Sequence, residues 1–134
     1  MHRPGSIRLY SHVIMLTLKL TPAEFRVLMN FLRMCTQDQI EVPLRLQSVT
    51  MLVLLQYWRK ISPARLATWQ LRRSEKFYKH SMPVAVAKAC YDLMQAYLLN
   101  SHQQILLDRL DQAIINYQDP YAQPHVLGEL VRIS

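Results

Sequence analysis

Phe25, Leu28, Met29, Leu32 and Cys35 recur at spacings of three and four, which gathers them on one face of a helix. Val86, Cys90, Leu93, Met94 and Tyr97 repeat the pattern, and so do Leu106, Leu110, Ala113, Ile114 and Tyr117. The polar positions fall opposite. Lys88 and Asp92 stand four apart as a stabilising pair, and Asp108 and Asp111 turn towards water. Ala85, Ala87, Ala89 and Ala96 allow close helix approach.

Helix starts are marked by proline. Pro22, Pro43, Pro63 and Pro83 come at intervals of about 20 residues, and proline suits the first helical turn, where its missing N–H has no intrahelical partner to lose. Thr21-Pro22-Ala23-Glu24 is a capping box, flanked by Leu20 and Phe25 as a hydrophobic staple. Ser62-Pro63 repeats the cap, Ser81 and Pro83 do so more loosely, and Ser101-His102-Gln103-Gln104 is a second capping-box candidate. These signals predict five helices, near 22–36, 43–60, 63–80, 83–99 and 102–117. Aligned on their caps, the segments share little else. The expected fold is therefore mainly α, a compact bundle of about five helices with a short N-terminal β-strand or hairpin, rather than a solenoid. The expected division is a single helical domain over 1–134, with an arm or strand at 1–20, the bundle at 21–118 and a tail at 119–134.

Two segments break the amphipathic rule. Leu44, Leu46, Val49, Met51 to Leu55, Tyr57 and Trp58 cover the whole circumference of the 43–60 helix, which predicts a central position or burial in a partner. Arg45, Gln47, Ser48, Thr50 and Gln56 interrupt the run, short of the about 20 apolar residues that a membrane span needs. Ile14, Leu16, Leu18 and Leu20 alternate with Met15, Thr17 and Lys19, which suits a strand running into the Thr21 cap, although Leu9, Val13, Leu16 and Leu20 also fit a helix stripe and leave residues 7–20 open between the two. That strand needs a partner: residues 6–11, the tail from Val126 to Ile133, or a second copy of the chain. Both features point to a two-fold homodimer as the expected assembly.

Composition agrees with helices. The chain has 134 residues, 51% of them hydrophobic, and only 2 glycines, so intrinsic disorder and glycine-rich β architectures are disfavoured. Cys35 and Cys90 lie in apolar, helix-like surroundings without a Cys-x-x-Cys pattern, and read as buried thiols of a reducing, cytoplasmic compartment. No long apolar segment with a small-residue cleavage site marks a signal peptide.

Charge adds the functional clue. Residues 1–80 hold 13 cations and 4 acids, whereas 81–134 hold 3 cations and 5 acids. The densest cationic run is WQLRRSEKFYKH at 69–80. On a helix over 63–80, at about 100° per residue, Arg65, Trp69, Arg72, Lys76 and Lys79 share one narrow sector, with Arg73 beside it. Arg59 and Lys60 extend it from the preceding helix. The candidate nucleic-acid-binding set is thus Arg59, Lys60, Arg65, Trp69, Arg72, Arg73, Lys76 and Lys79. The cations follow DNA or RNA phosphates and the tryptophan stacks on a base. The alternatives are a face that docks an acidic protein partner and a plain solvated face.

LKLTPAEFRVL, residues 18–28, resembles the strand-to-helix junction of the winged-helix effector domain in two-component response regulators. The resemblance covers eleven residues and implies a strand, a capping box and an amphipathic turn. The rest of the chain shows no recognition helix followed by a glycine-containing wing, and no functional residue carries over.

Catalytic patterns are sparse. His2, His12, His80, His102 and His125 are scattered, and none forms a helical metal-ligand spacing. Asp108 and Asp111 have Arg109 between them and no third ligand. Two glycines cannot build a phosphate-binding loop. The expectation is a binding protein without catalytic residues, metal or other cofactor.

Overall fold

A computed structural model of the chain describes residues 14–119. Residues 1–13 of the expected arm and 120–134 of the expected tail, with the two intrachain partners suggested for the strand, lie outside the described residues. Within them the fold is mainly α, with five α-helices and two short strands: β1 (Met15–Leu20), α1 (Pro22–Thr36), a 3-10 turn at Leu44–Leu46, α2 (Val49–Lys60), α3 (Pro63–Gln70), β2 (Tyr78–Pro83), α4 (Val84–Gln95) and α5 (Ser101–Ile115).

The first helix forms as its caps dictate. Thr21 Oγ1 accepts from the Glu24 N–H at 3.2 Å, and Glu24 Oε1 accepts from the Thr21 N–H at 3.1 Å. All five residues of the expected stripe are buried. Ser48 caps α2 and Ser62 caps α3 through the N–H groups of Met51 and Arg65. Asn100, one residue before the expected cap Ser101, caps α5, and Gln103 completes that capping box.

Two expectations are corrected. The helix from Pro43 does not run unbroken to residue 60. Pro43 leads into the 3-10 turn, and Gln47 has extended backbone before the Ser48 cap. The separation leaves Leu44, Leu46 and Val49 exposed, while Leu54, Leu55 and Tyr57 are buried. The second correction is larger. The helix expected over 63–80 stops at Gln70, and residues 78–83 form a strand instead. This strand, which none of the three expected partners anticipated, pairs antiparallel with β1.

The pairing has a physical cause. Leu16, Leu18 and Leu20 on β1 are buried, so the strand lies at the core and its backbone polar groups need partners. Tyr78, His80 and Met82 alternate inwards opposite Leu20, Leu18 and Leu16. A helix continued to residue 80 would forgo this ladder and expose Met82. The outer face pairs Met15 with Pro83, Thr17 with Ser81 and Lys19 with Lys79. Thr17 and Ser81 hydroxyls meet at 2.9 Å. The inner face joins one apolar cluster, with α1 packed against α2 and α5, α4 against α2 and α5, and α5 against β1. Each large side chain buried here contributes about 1.5–3 kcal/mol relative to exposure.

Candidate nucleic-acid interface

The eight candidate residues do not form one stripe, because the helix that would align them ends at Gln70. Arg59 and Lys60 are exposed in the last turn of α2, where cations complement the helix dipole. Arg65 is exposed in the first turn of α3. Arg73 is exposed and bridges Glu75 at 2.7 Å. Lys76 lies exposed in the turn before β2, and Lys79 is exposed on the strand's outer face.

Trp69 is corrected from exposed to core. It is 4% exposed and stacks on Phe25 with ring centroids 4.1 Å apart. Its edge meets Tyr78 and His80. Arg72 covers this cluster, with Cζ 4.5 Å from the Trp69 centroid and 4.6 Å from that of Tyr78. Its Nη1 is buried and has no hydrogen-bond partner among the described residues. Trp69 therefore anchors α3 and Arg72 instead of offering a free ring to a base.

Beneath Arg72, His80 is buried and its Nε2 is hydrogen-bonded to Tyr57 Oη at 2.8 Å. Burial, and then the positive charges of Arg65 and Arg72, pull the His80 pKa down to about 4. Burial pushes the Tyr57 hydroxyl up to about 12. The pair is therefore neutral near pH 7. Cys35 and Cys90 are free, buried thiols, and burial raises both, Cys90 to about 12, which denies them thiolate character.

The outer face of the sheet carries what the sequence pattern concealed. Lys19 and Lys79 stand directly opposite each other, and neither has an acidic partner among the described residues. Phe77, which a helix over 63–80 would turn away from the cationic sector, is 52% exposed. Arg109 of α5 places its Cζ 5.0 Å from the Phe77 ring centroid and bridges Glu24 at 3.3 Å. Thr17, Lys19, Phe77 and Arg109 line a groove of about 1020 Å³ between β1 and α5, with Asp108, Gln112 and Asn116 on its helical side. Lys19 could not be found from sequence, since only the strand register brings it to Lys79, 60 positions further along the chain.

Among the described residues, no group of three or more metal-ligating side chains is present, and no helix is long and apolar enough to cross a membrane. No protein-family model, curated protein or solved structure matches the chain.

Proposed function

We propose that this chain is a non-catalytic nucleic-acid-binding protein, and that its contact surface is the outer face of the β1–β2 sheet with the turn before β2. The observation that carries the reading is the unneutralised Lys19–Lys79 pair beside exposed Phe77 and Arg109. Like charges directly opposite on a sheet are destabilising. A polyanion laid across them converts that repulsion into two phosphate contacts and releases counterions. Phe77 replaces Trp69 as the ring available for stacking on an unpaired base. Lys76, exposed in the turn before β2, extends the cationic surface along the chain.

Fluorescence anisotropy with a labelled single-stranded oligonucleotide tests this. Binding should be measurable at low salt and weaken steeply as salt rises. Lys19→Glu with Lys79→Glu should abolish it. Phe77→Ala should cost about 1–3 kcal/mol of binding with an unchanged melting temperature. No binding at low salt, or equal binding by the charge-reversed variant, removes the reading.

A cytoplasmic homodimer belongs to the same proposal. Exposed Ile40, Leu44, Leu46 and Val49 support self-association, and light scattering across a dilution series checks it. A 15.8 kDa species at every concentration would exclude the dimer.

A further inference from the structure

Arg26, Asn30 and Arg33 fall at i, i+4 and i+7 on α1, so they follow one another along one face of that helix. They border an open cleft of about 360 Å³ between α1, α2 and α3. Its floor is apolar and aromatic: Phe25 and Met29 from α1, Trp58 from α2, Leu66 and Trp69 from α3. Arg26 and Arg33 are exposed and have no ion-pair partner among the described residues. An occupant must therefore combine apolar bulk with negative charge.

The spacing selects among such occupants. Seven residues of helix rise about 10 Å, so an occupant that engages each arginine at its own position along the groove must span about that length. A helix lying along α1 can do so with carboxylates at i and i+7, and its side chains at i+3 and i+4 then point between them into the cleft. The cleft lies near the lower limit for small-molecule sites, about 300–1,000 Å³, and suits one or two large anchoring side chains.

We propose that this groove docks an acidic amphipathic helix of a partner protein, with apolar anchors over Trp58 and Leu66 and carboxylates meeting Arg26 and Arg33. The surface differs from that proposed for nucleic acid, so the protein would join a polyanion to a protein partner.

The chain's two tryptophans, Trp58 and Trp69, both line the groove, so intrinsic emission reports its occupancy. The full chain is panned against a displayed library of peptides of about 16 residues, four to five helical turns. Enriched peptides are synthesised and titrated by tryptophan emission. Acids at i and i+7 around large apolar residues are expected, with saturable changes in emission. Arg26→Glu with Arg33→Glu should weaken binding about tenfold or more, retain the parent's thermal melt, and recover binding when the peptide acids are changed to lysine. The proposal fails if no peptide is enriched over bare support, if enriched peptides lack the pattern, or if the double variant binds them equally. It also fails if a thymidine oligonucleotide alone changes the emission and loses that effect in the Arg26→Glu, Arg33→Glu variant, because the groove would then be a nucleic-acid site. The Lys19→Glu, Lys79→Glu variant should keep peptide binding while losing oligonucleotide, so failure of one proposal is distinguishable from failure of the other.

Discussion

The rings of Phe25 and Trp69 lie parallel, with planes 1° apart and centroids separated by 4.1 Å. This contact fastens the short helix α3 to α1, and Arg72 closes over its outer side. Trp69→Ala should therefore act on stability, by about 3–5 kcal/mol, the usual cost of truncating a buried tryptophan. Urea unfolding followed by circular dichroism measures the loss. A variant as stable as the parent would show that the stack holds nothing in place.

His80 makes the same core sensitive to acid. Folded, it stays neutral down to about pH 4 under burial and the charges of Arg65 and Arg72. Unfolded, it takes a proton near pH 6.5. Its contribution is thus complete above about pH 6.5 and is lost as pH falls towards 4. At about 1.4 kcal/mol per pH unit, the loss reaches about 3 kcal/mol. Unfolding free energies of the parent and His80→Gln, measured between pH 7.5 and 4 (about the titration window of a shifted histidine), should converge as pH falls. Parallel curves would contradict the assignment.

How far the fold could be read ahead depended on whether its signals were local. Thr21, Glu24 and Pro22 determine a helix start by contacts within one turn, and α1 begins and ends as expected. The Lys88–Asp92 pair, also local, forms at 2.8 Å. Residues 71–83 carried two periods at once. Leu71, Phe77 and Tyr78 suit a helix face, whereas Tyr78, His80 and Met82 suit a strand. What decides between them is the demand of β1 for a partner more than 50 positions away, which no local pattern encodes. The site followed the same rule. Net positive charge was legible from composition, but its arrangement changed with the strand: Trp69 moved into the core, Phe77 moved out, and Lys19 joined Lys79.

Glu24 serves two structures at once, capping α1 through Oε1 and bridging Arg109 through Oε2. Substitutions separate these roles. Glu24→Gln keeps a capping oxygen and should cost only about 1 kcal/mol, near the upper end for a surface ion pair because the Glu24 side chain is mostly covered. Glu24→Ala also loses the cap's reciprocal hydrogen bond and should cost about 1 kcal/mol more. Thermal melts at low and high salt check the division, since only the ion-pair share should shrink with salt. Equal costs for the two substitutions would assign the whole effect to the ion pair.

Lys19 and Lys79 provide the sharpest separation of stability from function. Opposed on the outer face, they repel, and opposite charges at such positions are favourable by about 0.2–1 kcal/mol. Lys79→Glu alone should therefore raise the melting temperature slightly, because it converts the repulsion into an attraction with Lys19. The same substitution removes one phosphate contact, occupies the other lysine and places a carboxylate on the proposed nucleic-acid surface, so oligonucleotide affinity should fall and its salt dependence should flatten. Lys19→Glu should behave alike, since the pair is symmetric in this argument. Melting curves and anisotropy titrations on the same protein samples measure both effects. A variant that is stabilised yet binds less identifies the pair as retained for ligand and not for fold. A variant that is stabilised and binds as well as the parent would leave the two lysines as an unfavourable solvated pair and would end the nucleic-acid reading of this face.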